Sequence, residues 1–95
     1  MSRATFIDGL LGRPRDKTAA SLSQITRDVA AAYGVSVMDM CSKVRTYKVA
    51  HARQEAMRRA KNLGFGVRAI GVFFSRDHTT VMHGIKAATR RMAAE

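Results

Sequence analysis

The sequence predicts an all-α fold, a small helical bundle organised around a helix-turn-helix. Three observations carry this expectation. Apolar residues recur at helical spacing in five segments, and no segment shows the strict alternation of a half-buried strand. The chain is 46% hydrophobic yet holds only four Phe, two Tyr and no Trp, so its core must be packed from Leu, Ile, Val, Met and Ala. Finally, a short helical pattern, a turn of a few residues and a longer pattern with a polar, basic outer face follow one another near the C-terminus.

The 95 residues suit one domain. Residues 1–20 read as an N-terminal arm or linker and residues 21–95 as the domain itself. In the arm, Phe6, Ile7, Leu10 and Leu11 could form a turn or two of amphipathic helix ahead of "GRPRDK", where Gly12 and Pro14 mark a loop. "SLSQITRDVAAAYG" predicts the first helix of the domain. Ser21 and Gln24 have capping-box spacing, Leu22, Ile25, Val29 and Tyr33 share a face, and Gly34 stops the run. A short second helix is expected in "SVMDM", capped by Ser36. "CSKVRTYK" then loses the periodicity and reads as a basic loop.

The longest helix is expected from Tyr47 to Leu63. At 100° per residue, Val49, Ala52, Ala56, Ala60 and Leu63 fall on one face and His51, Gln54, Arg58 and Lys61 on the other. Arg53 lies near the edge of the apolar face. Two readings stand for it: a stem along the core with a solvated head, or a guanidinium held by packing to reach a phosphate. "GFG" at 64–66 ends this helix. "VRAIGVFF" predicts the next, with Ile70 and one or both phenylalanines inward. Asp77 is placed to cap the last helix, along which Val81, Ile85, Ala88 and Met92 point one way and Thr79, His83, Lys86 and Arg90 the other.

Charge narrows the function. The formal net charge is +10, and between Lys43 and Arg91 lie twelve of the seventeen Lys and Arg against only Glu55 and Asp77. Such a field calls for a polyanionic partner. An acidic membrane surface fits less well, because the bases are not set against a large apolar stripe. The single Cys41 excludes an internal disulfide and fits a reducing compartment. With no signal-peptide core and no apolar run near membrane-spanning length, a cytoplasmic, nucleoid-associated protein is expected.

"RDHTTVMHGIKAATR", residues 76–90, sets an acid, an imidazole and two hydroxyls side by side. Adjacent residues on one helix point in different directions, so a catalytic triad would need groups from elsewhere. His78 and His83, five apart, do not share a helix face, and Cys41 and His51 have no ligand spacing, so no metal site is expected. No phosphate-cradling NTPase loop occurs. No enzyme activity and no cofactor are therefore expected. The choice lies between a plain capped helix with solvated charges and contact with DNA. For the latter, Asp can accept from a cytosine amino group, Thr offers a methyl to thymine and a hydroxyl to phosphate, and imidazole can do either.

"RDHTTVMH", preceded by "IGVFFS" and by "SKVRTYKVAHARQEAMRRAKNL", resembles the C-terminal DNA-binding domain of the bacterial replication initiator DnaA. The resemblance runs from about Ile25 to Arg91. It implies an all-helical, Trp repressor-like domain that binds an asymmetric double-stranded DnaA box. It further implies that Arg45 enters the minor groove at the AT-rich end, where an arginine reads groove width and potential. Asp77, His78 and Thr79 match major-groove base readers. It implies phosphate contacts for Arg53, Gln54, Lys61, Arg76 and Thr80, which favours the phosphate reading of Arg53; Lys43, Arg68 and His83 are expected to join this phosphate-binding set.

The chain departs from the family in two ways. "FFSRD" places a single Ser75 where two glycines are usual, and Arg68 stands where a proline is common. A turn one residue shorter bears on how the recognition helix is aimed and so on which box is read. The chain also carries no ATPase module of the kind an initiator needs. A stand-alone box reader is therefore expected, one that regulates replication initiation or transcription or competes for the initiator's sites. The alternative is a helical protein-interaction adaptor using Phe6, Phe65, Met38 and Met40.

Overall fold

The computed structural model describes residues 19–94, so the expected arm, including Phe6, Ile7, Leu10 and Leu11, lies outside the described residues. Within them the chain forms five helices and no strand: α1 (Ala19–Tyr33), α2 (Val37–Met40), α3 (Tyr47–Leu63), α4 (Val67–Phe74) and α5 (His78–Ala94). The all-α expectation holds. None of these helices is long and apolar enough to cross a membrane.

The central element is α3, against which α1, α2, α4 and α5 all pack. Three alanines, Ala52, Ala56 and Ala60, are fully buried along it beside Val49 and Met57. Small side chains let neighbouring helices approach closely, and larger ones from outside fill the space. Phe74 and Ile70 come from α4, Val29 and Leu22 from α1, Val81 from α5 and Met40 from α2. Burying a side chain of this size stabilises the fold by about 1.5–3 kcal/mol. Gly84 of α5 sits at the crossing with α3, where a Cβ would meet Met57 Sδ at 3.1 Å and Gln54 Cγ at 3.2 Å.

Several helix ends follow the sequence closely. The Ser36 hydroxyl accepts from the Asp39 N–H at 3.0 Å and caps α2. Gly64, with φ of 113°, ends α3 in the left-handed conformation that glycine adopts most readily. The expected capping box of α1 does not form. The helix starts two residues earlier, at Ala19, which places Ser21 inside the first turn, and Gln24 pairs instead with Asp28 and Arg27. Ala19 and Ala20 have the highest helix propensity and extend the helix past the signal.

Three apolar assignments also change. Met92 is half-exposed, at the rim of a cleft it shares with Tyr33, Glu55 and Arg59. Met40 and Phe65 are buried in the core, which leaves Met38 as the only described exposed member of the surface expected for an adaptor. The cause is tertiary: Met40 ends the short α2 and Phe65 lies in the connection from α3 to α4, and both side chains join the cluster packed on α3.

Candidate nucleic-acid interface

The helix-turn-helix consists of α4, the turn Ser75–Arg76–Asp77 and α5. The turn is tight because two N–H groups fold back on α4: Arg76 donates to the Gly71 carbonyl at 2.8 Å and Ser75 to the Val72 carbonyl at 3.3 Å. Ser75 adopts φ 56°, ψ 46°, a left-handed conformation that costs a non-glycine residue about 1–2 kcal/mol. Gly71 is required by contact rather than by φ, for a Cβ there would lie 2.5 Å from the Arg76 carbonyl oxygen. The tight turn thus leaves Ser75 in a strained conformation.

Asp77 begins α5 as expected, its Oδ2 accepting from the Thr79 N–H at 3.0 Å. That hydrogen bond, more than the nearby His78 and Arg68, holds its carboxyl below the usual aspartate range. The other oxygen, Oδ1, lies 3.8 Å from His78 Nδ1. Asp77, Thr79, Thr80 and His83 are exposed and His78 is half-exposed, so the leading turn of α5 presents its polar groups to solvent. Lys86 and Arg90 continue the exposed face.

Around this leading turn run three clefts that share Arg76. One, of about 390 Å³, lies between the basic loop and α5 and is lined by Lys43, Arg45, Arg53, Ser75, Arg76 and Thr80. A second, on the α4 side, is lined by Arg68, Gly71, Val72, Ser75, Arg76, Asp77 and His78. The third, between α3 and α5, brings in Gln54, His83 and Arg90. Among the described residues lining these clefts, Asp77 is the one carboxylate. Ten of the twelve expected site residues line these clefts; Thr79 lies exposed beside them on the leading turn of α5, and Lys61 stands apart, exposed in the last turn of α3. Arg90 joins the clefts without having been assigned a role, although its place on the outer face of α5 was a signal for it.

The structure gives Arg53 and Arg76 a task the sequence did not show. Arg53 is only 8% exposed. Its Nε donates to the Met40 carbonyl at 2.6 Å, and its Nη2 is shared among the carbonyls of Asp39, Ser42 and Val44 at 3.0–3.3 Å. Burial, with the nearby Arg76 charge adding to it, lowers its pKa from the ordinary arginine range. Arg76 is half-buried; Nη1 donates to the Phe74 carbonyl at 2.9 Å and Nη2 to the Ser42 carbonyl at 2.6 Å. Both guanidinium groups therefore donate to backbone carbonyls while also lining the cleft between the basic loop and α5. Gln54 is partly engaged too, since its Oε1 accepts from Arg91 Nη1 at 2.8 Å. Lys43 and Arg45, in the loop that Arg53 holds, remain exposed.

Away from the clefts, Glu55 is buried beneath Arg58 and Arg59, with contacts of 2.6 and 2.8 Å. This neutralises part of the basic face of α3 and takes Arg58 off the expected outer cluster. Among the described residues no group of His, Cys, Asp and Glu could hold a metal ion.

A family model described as "Bacterial dnaA protein helix-turn-helix" matches residues 22–87. The chain belongs to the DnaA helix-turn-helix family. Its similar relatives include the chromosomal replication initiator protein DnaA of Azoarcus sp. (strain BH72), 45% identical over 71 residues, which are 73% of this chain and 15% of that protein. DnaA of Chromobacterium violaceum is 40% identical over 88 residues, covering 85% of this chain and 19% of the relative. DnaA 1 of Protochlamydia amoebophila is 34% identical over 92 residues, covering 96% and 20%. The chain thus spans a fifth or less of the length of these relatives. The DnaA helix-turn-helix is a DNA-binding, non-catalytic domain, and the clefts lie around the turn that defines it.

Proposed function

We propose that this chain binds duplex DNA sequence-specifically at a DnaA-box-like site, and that it regulates replication initiation or transcription by occupying such sites. The observation that carries the reading is the cleft between the basic loop and the start of α5. Four cationic side chains and two hydroxyls line it, with no carboxylate among its described residues. An anion the size of a phosphate is the natural occupant of such a space, and a duplex backbone seated there sets α5 toward the major groove and the loop toward the minor groove.

In this reading Asp77, His78 and Thr79 read bases in the major groove, and Asp77 does so with Oδ1 because Oδ2 caps the helix. Arg45 enters the minor groove from the loop. Lys43, Arg68, Thr80, His83 and Gln54 contact phosphates around the clefts, and Lys61 contacts a more distant one. Asp77 adds selectivity within a basic surface, since phosphate repels it and only a donor base edge tolerates it.

Selection of duplexes from a randomised pool with the 95-residue chain tests this. The expected result is one enriched asymmetric site, with an affinity that falls with salt at roughly −0.9 in log–log slope per neutralised phosphate. Equal affinity for the enriched and a scrambled duplex would reject it.

A further inference from the structure

The two readers proposed above are distant in sequence, and duplex geometry requires their separation in space to be fixed. Arg45 sits in a loop with no secondary structure of its own, and Thr79 begins a helix in another part of the chain. One atom connects them. The Ser42 carbonyl oxygen accepts from Arg76 Nη2 at 2.6 Å and from Arg53 Nη2 at 3.3 Å.

We infer that Arg53 and Arg76 are positioning residues that lock the basic loop to the helix-turn-helix through the Ser42 carbonyl, so that minor-groove and major-groove reading act as one unit with a fixed spacing. This inference rests on the duplex-binding reading above.

The grip on the loop is dense on both sides. Arg53 takes the last carbonyls of α2, from Asp39 and Met40, and the loop carbonyl of Val44, the residue directly before Arg45. Arg76 takes the last carbonyl of α4, from Phe74, and precedes Asp77 and the start of α5. These helix-end carbonyls carry the negative end of the helix dipole and have no partner inside their own helix, so a guanidinium suits them well. The Ser42 hydroxyl tightens the same turn, donating to the Asp39 carbonyl at 2.8 Å and accepting from the Val44 N–H at 3.1 Å.

The device depends on the fork of arginine. A guanidinium presents several donors in one plane, whereas lysine offers a compact charge at the end of a flexible stem. A lysine can replace an arginine that serves mainly as a charge beside phosphate; it cannot hold carbonyls of two segments at once. Arg53 and Arg76 carry like charges that repel each other, and the Ser42 carbonyl offsets this by accepting from both.

The test uses the full chain, the duplex that the wild type selects from a randomised pool, and the same duplex with one base pair inserted. The insertion separates the pairs whose discrimination depends on Arg45 from those that depend on Thr79. Wild type is expected to bind the inserted duplex about 100-fold more weakly, the scale of losing one groove's contacts. Arg53→Lys and Arg76→Lys, which keep the charge, are expected to shrink that ratio to less than about tenfold, with an unchanged salt slope. Arg45→Ala combined with Arg53→Lys is expected to bind no worse than the weaker single variant, because both act through one loop.

Arg76 is half-exposed and its lysine variant keeps the hydrophobic core, so a folding failure at position 53 leaves the Arg76 arm decisive; circular dichroism checks each variant. The inference is overturned if both lysine variants keep the wild-type spacing ratio, or if the Arg45 and Arg53 losses multiply. If the wild type enriches no site, the duplex-binding reading falls first and takes this inference with it.

Discussion

Gly71→Ala sets two physical arguments against each other. Gly71 lies inside α4, an eight-residue helix, where helix propensity favours alanine over glycine by about 1 kcal/mol. The tertiary structure opposes this. An added Cβ would sit 2.5 Å from the Arg76 carbonyl oxygen, against an ordinary carbon–oxygen contact of about 3.3 Å. The obstructing atom belongs to the backbone of the turn and has no side-chain torsion to relieve it. Opening the turn by nearly an ångström carries overpacking strain of about 1–3 kcal/mol. It also strains the bond from the Arg76 N–H to the Gly71 carbonyl, worth roughly 0.5–1.5 kcal/mol. After the gain in propensity, a net loss of about 2 kcal/mol is expected, or roughly 10 °C in Tm for a domain of this size. Thermal melting followed by circular dichroism measures it. Duplex affinity of the folded variant should fall as well, since the turn aims α5. A variant that melts at or above the wild-type temperature would show that the turn yields easily and that the argument from close approach is mistaken.

Ser75→Gly should act in the opposite sense, raising stability by about 0.5–1 kcal/mol because glycine adopts the left-handed conformation without strain; a lower melting temperature would contradict it. Thr79→Ala should flatten discrimination at one base pair by about 1–3 kcal/mol, measured by competition among single-substituted duplexes. Lys61→Ala should instead weaken all duplexes alike and reduce the salt slope by roughly 0.9, visible in titrations at several salt concentrations. The hydrogen bond from Arg58, above all, holds the Glu55 carboxyl below the ordinary glutamate range. Its stabilisation is therefore present above that range and is lost as the pH falls through it toward the lowered folded value. Glu55→Gln should lower the denaturation midpoint near neutral pH and lose less stability on acidification than wild type.

What the sequence determined by itself is the part set by neighbours along the chain. The bounds of α3, the Ser36 and Asp77 caps, the stop at Gly64 and the polar outer face of α5 follow from periodicity and from donors and acceptors within a few residues. The motif around Asp77, His78 and Thr79 was legible for the same reason, as it lies on one helical turn. Tertiary structure decided the rest. The sequence could put Arg53 at the edge of an apolar face and leave its use open, because its carbonyl partners lie 9 to 14 residues away and that of Arg76 lies 34 away. The burial of Met40 and Phe65, the exposure of Met92 and the need for glycine at position 71 likewise depend on which elements meet. A helix pattern records which side of a segment is apolar; where a guanidinium or a backbone carbonyl finds its partner is decided only when separate segments are brought together.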